Sequence, residues 1–388
     1  MITQQINQVI DSLSAFDSGI REKALADIAG MVKSGRISRG KDLKPWINLH
    51  LHTFHSYNYN NWSPSRVIFE GWRTGLEYVG TVDFDTLAGL EETLHAGRLL
   101  GMRATGGFES RVFIPEMKEI VVNSPKEPGI YYLCGKGFRK NPDERSEAGR
   151  FFLSMRETAQ RRNRQVVDRL NSFLKEVAVD YGKDILPLTP SGNPTERHMM
   201  EAYLKKSEEI PGEGVDRFWA DILGLTEEDA GNRRNGNIAD FRELMRKKLI
   251  KHGGPGYVPP ERKNFPLLDE TVRMIESAGG VPTGTWLDGT SPGEENPGDL
   301  VDFLRSKGIR AVTVIPDRNC NVSDREEKEK KVGNLDRFIR TCKRSKMPVV
   351  CGTEMNKDGQ PFVDDFTNPA IARHLSFFLS SASVFFNF

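Results

Sequence analysis

The sequence predicts an α/β protein, a barrel of about seven strands interrupted by a large helical insertion, and three observations carry that prediction. Short apolar stretches alternate with amphipathic helical stretches over residues 45–138 and again over 265–388, the pattern of successive strand–helix units. Between them, residues 139–264 are charged and helically periodic. Metal-competent residues also recur where successive strands end, and the carboxyl ends of its strands are where a parallel α/β barrel builds its sites.

Composition narrows the function classes. A chain of 388 residues has room for one large domain or two ordinary ones. Its 55 Lys+Arg balance 54 Asp+Glu to a formal net charge of +1, which is no signal for a nucleic-acid partner. Cys134, Cys320, Cys342 and Cys351 lack C-x-x-C spacing, so reduced thiols and a cytoplasmic setting are expected. The start shows no basic stretch followed by an apolar one, so no secretory signal is expected. The apolar segment 375–388 is too short for a membrane span and reads as a last buried helix or an atypical tail.

Taken in order, residues 1–44 form a helical appendage, with Ile6, Val9, Ile10, Leu13, Ala24, Ile28 and Met31 at helical spacing over 3–34. The first barrel part spans 45–138. Its first strand, from Trp46, leads to His50-Leu51-His52-Thr53. Residues i and i+2 of a strand share a face, so the two imidazoles stand side by side where it ends. Ser63-Pro64 is an N-cap followed by proline at the first helical position. The helix it opens turns Val67, Ile68, Trp72 and Leu76 inward. Strand 78–82 then delivers Asp83-Phe84-Asp85, helix 89–100 follows, and strand 103–108 delivers Glu109. Simpler roles exist for some of these: Asp85-Thr86 as a helix cap, Glu109 as a surface ion-pair partner. A short strand at 130–133 ends in Cys134-Gly135-Lys136-Gly137, whose glycines and lysine suit the approach of a phosphate.

Residues 139–264 are the insertion, closed by a Gly/Pro linker over 253–260. Its loop 189–198, with Ser191, Asn193, Arg197 and His198, is expected to reach over a site. The second barrel part, 265–388, alternates helix 267–278, strand 280–285, helix 299–307, strand 311–315, helix 324–344 and strand 347–351. The last strand delivers Thr353-Glu354-Met355-Asn356.

The ordered series His50-Leu51-His52-Thr53, Ser63-Pro64, residues 75–83, Asp85-Thr86 and Gly107-Phe108-Glu109 resembles the PHP (polymerase and histidinol phosphatase) superfamily. Gly279-Gly280-Val281-Pro282 and 352–356 fall where later family motifs lie. The resemblance covers about 45–138 and 265–365, and implies a distorted seven-stranded barrel with up to three metals. Several family histidines are replaced: Phe84 follows Asp83, Trp286 stands after the Gly-Gly-Val-Pro stretch, and the closing motif reads Glu354-Met355-Asn356. The fourth-strand histidine has no counterpart in Tyr131-Tyr132-Leu133, and His55 does not align with the remaining first-motif ligand. Phenylalanine cannot ligate, indole offers only a donor, and an amide oxygen is a weak ligand.

The resemblance then implies His50, His52, Asp83, Glu109 and Glu354 as ligands for one or two divalent ions, Zn, Mn or Fe, rather than three. Asp83 and Asp85 are the catalytic candidates, and Arg111, Lys136 and His198 the substrate-binding ones. The implied activity is a phosphoesterase acting on a small phosphorylated or nucleotide-like substrate through a metal-activated water, with the insertion as a lid. A barrel that has lost turnover and binds a ligand or partner is the alternative. A metal-dependent amidohydrolase is a third reading, although its later lysine and paired histidines are not found.

Overall fold

The computed structural model describes residues 2–40, 44–212, 214–259 and 264–386. Pro260 of the expected linker and residues 387–388 of the apolar terminal segment lie outside the described residues. The chain divides into two compact units, one made of Met1–Met155 and Glu261–Phe388, the other of Arg156–Pro260.

Among the described residues, seven strands of the first unit form one sheet in chain order: β1 (Ile47–Leu51), β2 (Tyr78–Phe84), β3 (Arg103–Phe113), β4 (Ile130–Phe138), β5 (Val281–Trp286), β6 (Ala311–Val314) and β7 (Val349–Cys351). β1, β2 and β3 are parallel to one another, as are β5, β6 and β7. β4 runs against both of its neighbours. A parallel pairing needs a crossover, usually a helix. The segment between β3 and β4 carries only a single turn of 3-10 helix, Pro115–Met117, so the chain folds straight back and pairs Phe113 with Ile130. The Gly135-Lys136-Gly137 stretch is therefore not a loop beyond a short strand. It lies inside β4, with Lys136 opposite Val281 at the start of β5.

The sheet comes close to closing on itself. Leu51 forms a parallel bridge with Glu354, the His52 amide donates to Glu354 O at 2.8 Å, and the Glu354 amide donates to His50 O at 2.8 Å. This approach depends on Gly352. A Cβ there would stand 2.5 Å from Asn48 Oδ1 and from His50 Cβ and N, so only glycine lets the end of β7 lie on β1.

Alternation along the strands sorts the side chains. Ile47 and Leu49 of β1 join an apolar cluster with Phe108, Val112, Leu133, Val281, Val312 and Val314, packed under the surrounding helices. Asn48 and His50 point the other way, where His50 meets Cys134 and Lys136 from the opposite side of the sheet. The helix Pro64–Thr74 starts as its sequence predicts: Ser63 accepts from the Arg66 amide, Pro64 takes the first position, and Gly75 ends it at φ 78°. Its Val67, Ile68, Phe69 and Trp72 pack with Leu13, Leu25 and Ile28 of the N-terminal helices. Those helices are two, Ile2–Ser12 and Ser18–Lys33, rather than one continuous run. Asp17 accepts from the Ile20 amide at 2.9 Å and so starts a second helix.

The second unit has its own core, in which Val166 and Leu170 meet Met199, Met200, Tyr203, Trp219, Phe241 and Met245. Trp219 Nε1 donates to Ser207 Oγ at 2.9 Å, so its buried indole is satisfied. Among the described residues no helix is long and apolar enough to cross a membrane. All four cysteines are buried free thiols.

Candidate metal centre

Two strands bring the ligands of the centre together. β1 presents His50 and carries the chain on to His52, and β3 presents Glu109, paired with Phe84 across the β2–β3 ladder. His50 Nε2 lies 3.6 Å and His52 Nε2 3.3 Å from Glu109 Oε2. One ligand atom from each of the three residues falls within 4.8 Å of the others, and all three residues are buried. Among the described residues neither Nε2 atom, both buried, has a hydrogen-bond partner. Buried polar atoms in folded proteins are ordinarily paired, so two such nitrogens converging beside a buried carboxylate have the form of a cation cradle.

The electrostatics agree with that form. Burial drives the His50 pKa down, outweighing the Glu109 charge that would raise it, so the imidazole is held neutral, the form that ligates. Burial alone would push the Glu109 carboxyl up. The His50 and His52 rings reverse this and hold it well below the usual carboxylate range. Burial also lowers the pKa of Lys136, whose Nζ donates to Leu49 O at 2.8 Å and Thr313 Oγ1 at 3.2 Å and lies 3.5 Å from His50 Nδ1.

The remaining predicted site residues are placed as follows. Asp83 accepts from the Thr53 amide at 2.8 Å, from Thr53 Oγ1 at 2.7 Å and from Ser56 Oγ at 2.7 Å. Phe84 stacks on the His52 ring, centroids 4.3 Å apart, and fixes the plane of the imidazole. Asp85 has φ 55° and accepts from Ser110 Oγ at 2.5 Å; the turn is completed by Thr86 Oγ1, which accepts from the Ala88 amide at 3.1 Å. Arg111 donates to Glu127 at 3.0 Å and lies over the Phe265 ring, 4.9 Å from its centroid. Glu354 has φ 67° and accepts from Gln360 Nε2 at 3.1 Å. Among the described residues the three-ligand group is His50, His52 and Glu109, without Asp83 or Glu354.

Trp286 turns out of the barrel and stacks on Phe338, centroids 4.7 Å apart and planes at 8°. His55 is buried beside Asp83, its amide donating to Thr53 Oγ1 at 3.2 Å. His198 belongs to the second unit, where its Nδ1 accepts from the Thr195 amide at 3.1 Å and closes the start of the helix Glu196–Ser207. Ser56 was not singled out from the sequence. Its Oγ lies 3.2 Å from His52 Nδ1, and the only prior signal is a hydroxyl four residues past the second histidine.

No protein-family model matches the chain, and no curated protein matches it. Two solved structures share the fold. One is a candidate metal-dependent phosphoesterase from Bifidobacterium adolescentis, 18% identical over 84% of this chain and 94% of that one, with a TM-score of 0.52. The other is an amidohydrolase from Chromobacterium violaceum, solved with sulfate and no metal, 16% identical over 85% of this chain and 95% of that one, with a TM-score of 0.51. At these identities the likeness is one of fold, a seven-stranded α/β barrel.

Proposed function

We propose that the chain is a divalent-metal-dependent hydrolase of the PHP type and, more narrowly, a phosphoesterase acting on a small phosphorylated substrate. The observation that carries this reading is the convergence of His50, His52 and Glu109, with neither Nε2 atom hydrogen-bonded among the described residues. Two nitrogens and a carboxylate suit Zn²⁺, Mn²⁺ or Fe²⁺, and three protein ligands leave positions open for water and substrate. An ion held there acts as a Lewis acid and lowers the pKa of water to about 7. One ion is the reading we favour, because Phe84 stands where a further imidazole would help hold a second and the oxygens of Asp83 are committed to Thr53 and Ser56.

The chain's own residues have separable tasks in this reading. Asp85, oriented by Ser110, is the proton acceptor. Arg111 stands two residues beyond Glu109 on the same strand face and is the cation assigned to the substrate's phosphate. Lys136, bonded to Leu49 O and Thr313 Oγ1, is held in place beside His50.

Metal analysis of protein purified without added metal, followed by turnover of nitrophenyl phosphomonoesters, phosphodiesters and an anilide, tests this. The expected result is about one equivalent of metal and phosphate-ester turnover reduced at least 100-fold in His52→Ala. Metal with turnover of the anilide alone would favour the amidohydrolase reading. Folded, metal-free protein without turnover would leave a ligand- or partner-binding barrel, the reading that Phe84 and Trp286 favour.

A further inference from the structure

The two imidazoles of the centre differ in what stands behind them. His52 Nδ1 lies 3.2 Å from Ser56 Oγ, and Ser56 Oγ lies 2.7 Å from Asp83 Oδ1. All three side chains are buried. His50 Nδ1 instead faces Lys136 Nζ at 3.5 Å and Cys134 Sγ at 4.0 Å. We infer that Ser56 and Asp83 form a positioning relay that sets the tautomer of His52 and presents its Nε2 lone pair to the metal.

Proton bookkeeping carries the inference. A serine hydroxyl has one proton to give and two lone pairs to receive with. Asp83 accepts from Thr53 N, Thr53 Oγ1 and Ser56 Oγ, so it is the acceptor at every one of these contacts. The Ser56 proton is therefore spent on Asp83 Oδ1, and Ser56 Oγ can only accept from His52. The proton between them belongs to His52 Nδ1. Nε2, on the other edge of the ring, faces Glu109 and the cradle, and its lone pair is the one a bound metal would take.

The surroundings make this orientation hard to escape. The Phe84 ring stacks on one face of His52 at 29°, so the imidazole cannot tilt freely. The His52 backbone is held at both ends, its amide on Glu354 O at 2.8 Å and its carbonyl by Asn58 Nδ2 at 2.9 Å. What packing cannot decide is which ring edge faces Ser56, because a ring flip alters the shape little. A hydrogen bond to Ser56 separates the two edges. Asp83 is on this account a positioning residue acting through Ser56, neither a ligand nor a base.

Two measurements test the relay, and only the second rests on the metal-centre reading. Long-range ¹H–¹⁵N correlation on the metal-free wild type at pH 8 reads the ring proton facing Ser56 directly, with a protonated Nδ1 expected at His52. Zn²⁺ affinity is then measured by competition with a chromophoric chelator on the full chain. Ser56→Ala and Asp83→Asn are expected to weaken binding about 10–100-fold, the usual cost of losing such an outer partner, whereas Ser56→Thr, which keeps the hydroxyl, stays near wild type. Circular dichroism checks that each variant is folded. An unprotonated Nδ1 at His52 in the wild type, or a folded Ser56→Ala protein with wild-type Zn²⁺ affinity, overturns the relay. Wild type that takes up no Zn²⁺ overturns the metal centre instead, and the tautomer spectrum still decides the relay by itself.

Discussion

Glu109 and His198 are both buried side chains whose charge is decided by their neighbours, with opposite outcomes. Glu109 keeps its negative charge because two imidazoles face it, despite the cost of burial. The charges that act on His198 are those of arginines. Burial, then the charges of Arg242 and Arg197, push it down to about 3 from 6.5. The sign of its effect on stability follows. Below pH 6.5 the unfolded chain takes up a proton that the folded imidazole refuses, so stability is full above that pH and falls as the pH drops toward 3. The slope is at most about 1.4 kcal/mol per pH unit. Urea unfolding of the wild type at pH 7 and pH 5 should show this loss, and His198→Gln, which keeps an acceptor for the Thr195 amide, should lessen it. An unchanged pH dependence in that variant would falsify the assignment.

At the scale of the element, β1 and the end of β7 form a single working piece. β1 and the residue just past it supply the imidazoles, and Glu354 ties their backbone down with two hydrogen bonds of 2.8 Å. Glu354 and Met355 do so in left-handed conformations, φ 67° and 53°, which non-glycine residues adopt only when surrounding structure holds them. Gly352 makes the approach possible. Gly352→Ala would drive a methyl group into Asn48 and His50, and β7 would have to retreat from β1. The expected cost is about 3 kcal/mol, together with weakened metal binding, measured by thermal unfolding and the chelator competition. Wild-type stability in this variant would mean that the strand ends lie further apart.

At the scale of the molecule, two compact units, each with apolar clusters of its own, predict two unfolding transitions, because two-state behaviour belongs to single cooperative units. The metal ligands all belong to the first unit. A metal bound only by the folded centre adds stability by mass action, about 2.7 kcal/mol at a free concentration 100 times its Kd. Calorimetry with and without Zn²⁺ should therefore raise one transition and leave the other in place, with the shift abolished in Glu109→Gln. Two transitions rising together would show that the units are energetically coupled.

The alternation of apolar and periodic segments was enough to expect a seven-stranded α/β barrel with a helical insertion, because strand and helix periods are local properties of the chain. Period-2 geometry likewise put His50 and His52 on one face, whereas Glu109, expected at the end of strand 103–108, lies inside β3, whose pairing with β4 continues to Phe113. Other features waited on contacts between residues far apart in sequence. The reversal of β4 is set by a return segment without a helix, and it moves Lys136 from a supposed loop into the barrel interior. The engagement of Asp83 depends on Thr53 and Ser56, some thirty positions earlier in the chain. The orientation of Trp286 depends on Phe338, and that of Glu354 on Gln360 and β1. A sequence states which donors and acceptors exist; which of them are already spent on one another is a property of three-dimensional proximity, and only the folded barrel decides it.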